Sequence, residues 1–277
     1  METINLPSIK RVALINDMSC FGKCSLTVSQ PIISAYGIEA VPLPTAILST
    51  HTGGFSGFTL LDMTEEMEKI SAHWKSCDIH FDAIYTGYFC NERQVEFAEK
   101  FIREFKRENT LIIVDPVLGD NGKLYVGFDE KTVKAMKRLI KLADVITPNY
   151  TEAVFLSNSD FGISAEELLE KFGNKYIAVT GVKNGDKIGY AVKTPNKRFN
   201  IEKPYRDVVL HGSGDVFASV LTAEMMNGKE FSDAVTNAAD FCDRAVEITE
   251  KNAKDGTYGL MFEKVLSERI NNSGDVK

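Results

Sequence analysis

Leu111-Ile112-Ile113-Val114-Asp115-Pro116-Val117-Leu118-Gly119-Asp120 is the stretch from which the fold can be read. Its first four residues are apolar without alternation, the pattern of a short parallel strand covered on both faces. Asp115, Pro116 and Gly119 then end the run. Before it, Val95, Ala98, Phe101, Ile102 and Phe105 recur at helical spacing behind Asn91 and Gln94, which resemble a capping box. After it, Val133, Met136, Leu139, Ile140 and Ala143 mark a second amphipathic helix, and Val145-Ile146 a further strand.

The same alternation extends in both directions. Val12-Ala13-Leu14-Ile15 reads as a strand, followed by a helix from Leu26 to Tyr36 and a second strand from Val41 to Leu48. Pro42 and Pro44 argue against a central position for the first half of that second strand. Ala83-Ile84-Tyr85-Thr86 and Tyr176-Ile177-Ala178-Val179 are further strands, and Ser164 with Glu167 opens the helix before the latter. Strands and helices in this order are βα repeats, which predict one α/β domain with a central, mostly parallel sheet and helices on both faces. The stretch from Lys187 to Val209 departs from the repeat. There Ile188 to Val192 and Phe199 to Ile201 read as antiparallel strands around Thr194-Pro195-Asn196.

The chain has 277 residues, 44% of them hydrophobic, enough for one sizeable core. Its formal charge of -7 is spread along the sequence, which leaves no basic footprint for nucleic acid or an anionic membrane. Five scattered cysteines argue against a disulfide framework and for a reducing compartment. The start lacks the pattern of a signal peptide and no run is long enough to span a bilayer, so a cytoplasmic location is expected. The polar tail from Ile270 is expected to fray.

In an open α/β sheet, ligands bind beyond the carboxyl ends of the strands. Four polar strand ends converge there if the sheet is parallel: Asn16 to Ser19, Asp115 to Asp120, Thr147-Pro148-Asn149 and Thr180-Gly181. A fifth segment, Gly212-Ser213-Gly214-Asp215, precedes the helical run Val216, Phe217, Val220 and Leu221. Its glycines would let backbone N–H groups approach an anion, and a carboxylate in the first turn could take the proton of an attacking alcohol. The segment also reads as an ordinary helix start favoured by the dipole.

Asp115 and Asp120 could hold Mg²⁺ directly or through its waters, or could each serve a turn, Asp120 with Asn121-Gly122. Asn149 and Glu152 could support metal waters and phosphates, or merely start a helix. Thr180 offers a hydroxyl near a phosphate tail, although Gly181 and Gly185 fit turn duty alone. Ser19, Thr45, His51 and Tyr85 could make polar contacts to a flat ring, while a lone histidine such as His51 is often structural. Cys20 and Cys24 lack a companion Cys or His pair for zinc, and Lys23 lacks P-loop spacing.

The combination of Gly212-Ser213-Gly214-Asp215, Asp115 to Asp120 and Thr147-Pro148-Asn149-Tyr150-Thr151-Glu152-Ala153 resembles the ribokinase superfamily. Ser49-Thr50-His51-Thr52-Gly53 and Tyr85-Thr86-Gly87-Tyr88 narrow the resemblance to its pyridoxal kinases. It runs from Ala13 to about Val246 and implies a ribokinase-like three-layer α/β/α fold. The activity it implies is ATP-dependent phosphorylation of the 5'-hydroxymethyl of pyridoxal, pyridoxamine or pyridoxine. It makes Asp215 the base and the amides from Gly212 through Ser213 and Gly214 to Asp215 the anion hole. It places Asp120 and Glu152 at Mg²⁺, Asp115, Asn149 and Thr180 near the nucleotide phosphates, and Ser19, Thr45, His51 and Tyr85 around the pyridine ring.

The resemblance also implies a monovalent cation such as K⁺, a homodimer, and an ATP-covering loop at about 193–207. Asp17-Met18-Ser19-Cys20-Phe21-Gly22 departs from the His-Val-Val-His-Gly-like segment of many members, which bears on vitamer preference. A hydroxymethylpyrimidine or sugar kinase of the same architecture is the alternative enzyme. A nucleotide-binding regulator without turnover is the alternative of another class, though it would have no need of a base. A Rossmann dehydrogenase is unsupported, since no Gly-x-Gly-x-x-Gly follows the first strand.

Overall fold

In the computed structural model, which describes residues 8–206, 210–253 and 257–273, each apolar run becomes a strand and each amphipathic run a helix. The strands are β1 (Arg11–Ser19), β2 (Glu39–Leu48), β3 (Leu60–Asp62), β4 (Ala83–Thr86), β5 (Leu111–Val114), β6 (Gly119–Asp120), β7 (Lys123–Leu124), β8 (Val145–Ile146), β9 (Tyr176–Asn184), β10 (Lys187–Lys193) and β11 (Arg198–Pro204). The helices are α1 (Leu26–Ala35), α2 (Thr64–Ser76), α3 (Glu92–Phe105), α4 (Glu130–Leu139), α5 (Tyr150–Ser157), α6 (Ala165–Glu170), α7 (Ser213–Met226), α8 (Phe231–Asn252) and α9 (Phe262–Ser273).

Nine strands form one sheet in the order β11-β10-β9-β8-β5-β4-β1-β2-β3. From β9 to β2 the neighbours are parallel; β3, β10 and β11 join antiparallel at the two edges. The chain leaves β1 through α1 to reach β2 on one side, then returns through α2 to β4 on the other side of β1. β1 therefore borders the switch in winding direction, and the cleft beyond its carboxyl end is where such sheets bind ligands. Asn16 to Ser19 occupy that end.

Both faces of the sheet are covered, as the unalternating apolar strands require. Ile112 and Val114 of β5 join a core with Met67 of α2, Phe101 of α3, Met136 of α4, Val154 of α5 and Leu168 of α6. Ile113 faces the opposite core with Ile32 of α1, Phe217 of α7, Phe241 of α8 and Phe262 of α9. Capping sets several helix starts. Asn149 and Ser164 form reciprocal boxes with Glu152 and Glu167. Asn91 accepts from the N–H of Gln94, but the Gln94 side chain instead accepts from Cys90 N–H, so that box is only half formed.

Pro42 and Pro44 lie in β2 opposite Leu14 and Asn16, while β3 pairs only with Ala46 to Leu48. Two residues apart, the prolines place their missing donors on one side of the strand, the side left open by β3. Two expectations meet a more regular local structure. Most of the stretch expected at about 193–207 to cover ATP belongs to the hairpin of β10 and β11, held at the sheet edge by pairs from Lys187↔Pro204 to Lys193↔Arg198. The end of that loop, residue 207, lies outside the described residues. The tail expected to fray from 270 is helical to Ser273, because α9 is seated by buried Phe262, Val265 and Leu266 and by a 3.1 Å ion pair from Arg269 to Glu224. Residues 274–277 lie outside the described residues. Among the described residues, no helix is long and apolar enough to cross a membrane.

Phe101 stacks on Phe105 at 4.3 Å and meets Trp74, Phe81 and Phe97, with 1% of its surface exposed. Phe101→Ala is expected to reduce the free energy of unfolding by about 3–5 kcal/mol, through lost contacts and a cavity. Urea unfolding of the two proteins checks this; a loss under about 1 kcal/mol would mean the cluster is not a packed core.

Candidate functional site

Gly212 begins the site. Its φ of 78° is the left-handed conformation that suits glycine, and a side chain there would collide with the carbonyl of Lys23. That turn sets the N-terminus of α7 so that Ser213, Gly214 and Asp215 fill its first turn. Their free backbone N–H groups make this end of the helix receptive to an anion. Asp215 is partly buried, and burial pushes its carboxyl up to about 7, with Asp17 adding to the rise. The backbone N–H of Ser25 and the side-chain amide of Asn16, 3.3 Å from Oδ1, oppose that rise. A carboxyl so poised can accept a proton near neutral pH.

Asp17, beside Asn16, is 5% exposed and accepts hydrogen bonds from the hydroxyls of Ser19 and Ser25. Burial raises its carboxyl despite those donors. Ser25 holds a left-handed φ of 58° just before α1, which brings its hydroxyl to Asp17 and its N–H to Asp215.

The ends of β5 and β8 bring further carboxylates to the cleft. Asp115 is buried, accepts from the Thr147 hydroxyl at 3.2 Å, and lies close to Gly214. Its carboxyl is raised well above the usual range by burial, then by Glu152 and Asp215. Glu152 is pushed to about 8 by burial although it accepts from the N–H groups of Leu118 at 3.0 Å and Asn149 at 2.8 Å. Asn149 caps α5 and donates its amide to the Gly119 carbonyl at 2.8 Å, and it bridges to Thr180, whose N–H bonds to Pro148. Asp120 is exposed at the tip of the β6–β7 hairpin. There it accepts from Asn121, and Asn121 and Gly122 both take positive φ. The turn reading of Asp120 is therefore met locally, while its carboxylate stays open to solvent.

Among the described residues, no lysine or arginine is a leading influence on Asp115, Glu152 or Asp215. Three raised carboxyls next to an exposed fourth form an environment that a bound cation would relieve. Among the described residues, no three Asp, Glu, His or Cys side chains meet with metal-binding geometry. Mg²⁺ could be held there only by one or two carboxylates and otherwise by water, and Asp120, which acts on Glu152, and Glu152 itself could serve.

The residues expected around a flat ring divide. Ser19 and Thr45 lie beside the cleft, but each is fully buried and its hydroxyl is engaged, Ser19 with Asp17 and Thr45 with the Tyr88 carbonyl at 2.9 Å. Tyr85 is 1% exposed and belongs to the core beneath the site, because alternation along β4 turns it toward Phe217 and away from the open cleft. His51 sits at the mouth, its ring 5.1 Å from His211 and 4.9 Å from Phe55. Burial lowers the pKa of both histidines, so each is neutral at pH 7. Exposed Phe21 lies 5.0 Å from Tyr258 and 6.0 Å from Phe55, giving this mouth an aromatic wall. Sequence reading assigned no role to Asn16, Asp17, Ser25 or His211. The only signal for the first two was a polar pair ending an apolar strand, and Ser25 gave none.

A family model described as phosphomethylpyrimidine kinase matches residues 32–260. A Bacteroides thetaiotaomicron protein provisionally called a phosphomethylpyrimidine kinase is 38% identical, with a TM-score of 0.91 and 96% of each chain covered. A second crystal form of that protein contains pyridoxal. Pyridoxal kinase of Lactobacillus plantarum is 28% identical, with a TM-score of 0.89 over 97% of this chain and 99% of that one. Hydroxymethylpyrimidine/phosphomethylpyrimidine kinase of Bacillus subtilis is 28% identical over 78% of this chain and 80% of its own length.

The raised carboxyls make stability depend on pH. Between the ordinary glutamate value of 4.5 and about 8, folded Glu152 keeps a proton that the unfolded chain has released, so stability falls as pH rises through that window. Asp115 and Asp215 act in the same direction. His51 and His211, lowered from 6.5, act oppositely but only below that value. Thermal unfolding in chelator should therefore show a midpoint that declines from pH 6.5 to about 8, and millimolar Mg²⁺ should recover part of the loss at the upper end. A midpoint that is flat or rises over this interval would contradict the carboxylate cluster.

Proposed function

This chain belongs to the phosphomethylpyrimidine kinase family, and we propose that it transfers the γ-phosphoryl group of ATP to the 5'-hydroxymethyl of pyridoxal, pyridoxamine or pyridoxine. The observation that carries the reading is the seating of Asp215 in the first turn of α7, with its carboxyl poised near 7 and Gly212 in the left-handed turn before it. One carboxylate can then take the alcohol proton as the oxygen–phosphorus bond forms and the bond to the ADP oxygen breaks.

The N–H groups of Gly212, Ser213, Gly214 and Asp215 point toward the charge that develops on the transferred phosphoryl and cost no reorganisation during transfer. Asn149 and Thr180, joined where β8 and β9 end, stand ready for the nucleotide phosphates, with Asp115 behind them. Mg²⁺, held through Asp120 and Glu152, would offset phosphate charge. The neutral His51–His211 pair and the wall of Phe21, Phe55 and Tyr258 suit an aromatic ring better than a sugar, whose hydroxyls need many polar partners. A base has no use in a regulator that only binds nucleotide.

The pyridoxal found with the Bacteroides relative supports a vitamin B6 substrate. The second reading is a hydroxymethylpyrimidine, favoured by the family model and the Bacillus relative. ADP release measured with pyridoxal, pyridoxamine, hydroxymethylpyrimidine and ribose separates them. The highest kcat/KM is expected with a B6 vitamer; turnover confined to hydroxymethylpyrimidine would select the second reading, and ribose alone would overturn both. Asp215→Asn is expected to lower kcat by about 10²-fold or more and leave ATP binding within about twofold. Undiminished turnover in that variant would remove Asp215 from the role of base.

A further inference from the structure

We propose that Asn16 is a positioning residue for this reaction, holding the Asp215 carboxylate in the orientation that faces the attacking hydroxyl. The proposal rests on the reading of Asp215 as the base. Asn16 ends the apolar run of β1 and is 2% exposed, so its amide must find partners within the protein. Its Oδ1 accepts from the backbone N–H of Tyr88 at 2.8 Å and of Asp17 at 3.0 Å. Main-chain N–H groups can only donate, so they assign the amide oxygen and leave Nδ2 facing Asp215 Oδ1 at 3.3 Å.

Gly87 maintains this placement. A Cβ there would stand 2.5 Å from Asn16 Cγ and 2.7 Å from Oδ1, too close for the amide to remain where it is. Gly87 is also bound through its N–H to the Ile15 carbonyl at 2.9 Å, which fixes the end of β4 against β1. Two neighbouring strands thus hold the amide, and α7 presents the carboxylate to it.

The ionisable groups around Asp215 are Asp17 on β1, Cys24 before α1, Tyr85 on β4, Asp115 after β5 and Tyr125 after β7. Among these described groups none is a cation. A neutral donor from Asn16 orients the base and favours its charged form without introducing a positive charge that would weaken it as a proton acceptor.

Asn16→Asp keeps the size and replaces the donor with a second carboxylate. For the substrate that the wild type turns over best, we expect kcat to fall about 10-fold or more while the KM for ATP changes less than about twofold. The acid limb of kcat/KM should move to higher pH by about one unit, because a like charge disfavours ionised Asp215. Gly87→Ala displaces the amide without altering Asn16, and should lower kcat and move the same limb in the same direction by less. If Asn16→Asp does not fold, Gly87→Ala decides by that readout. Wild-type kcat, or a loss with an unmoved limb, overturns the proposal, as does failure of both variants to fold, which would make Asn16 purely structural. Inactive Asp215→Asn together with unmoved limbs in these variants defeats only the role of Asn16; active Asp215→Asn defeats the base and with it this proposal.

Discussion

Carboxylates brought together out of water, with no lysine or arginine among the leading influences from the described residues, are the constraint on which the site depends. Asp115, Glu152 and Asp215 are all raised chiefly by burial, and Asp115 and Asp215 lie close enough to act on one another. Isolated buried carboxylates are costly to ionise, so the protein surrounds them with fixed donors: N–H groups of Leu118 and Asn149 at Glu152, the Thr147 hydroxyl at Asp115, and Asn16 with Ser25 at Asp215. These donors only partly offset the burial. What remains is a set of raised carboxyls suited to taking up a proton, as the proposed phosphoryl transfer requires of its base.

The fold supplies this arrangement through parallel strands. Each strand's carboxyl end opens on the same edge, so residues distant in sequence meet there without long loops. Winding reverses beside β1, and on the face that carries α1 the N-terminus of α7 brings Asp215 to Asn16 near the carboxyl end of that strand. The hairpin of β10 and β11 extends the sheet beyond β9, the strand that carries Thr180.

Much of the architecture was legible because burial on both faces writes unbroken apolar strands, and amphipathic helices keep their period; Leu111 to Val114 and Val95 to Phe105 both fall where expected. The antiparallel strand read at Phe199 to Ile201 extends to Arg198 and Pro204, where alternation of exposed and half-buried side chains marks a polar edge strand. In the site, Asp215, Asp115 and Glu152 could be picked out because carboxylates beside glycine or at strand ends are conspicuous. The burial of Tyr85 was not legible, because strand alternation cannot be oriented without knowing which face is covered by which helices. Asn16 stood out only as part of a polar strand end, because its hydrogen bonds to Tyr88 and Asp215 join residues distant in sequence.

The proposed reaction turns on a single contact, that between Asp215 and the substrate hydroxyl. The most direct test is a crystal structure of the wild-type protein with pyridoxal and a non-hydrolysable ATP analogue. The account predicts the 5'-hydroxymethyl oxygen within about 2.6–3.2 Å of an Asp215 carboxylate oxygen, with the γ-phosphate analogue over the Gly212 to Asp215 amides. A ring bound with its hydroxymethyl turned away from Asp215, while the nucleotide occupies its own site, would contradict it.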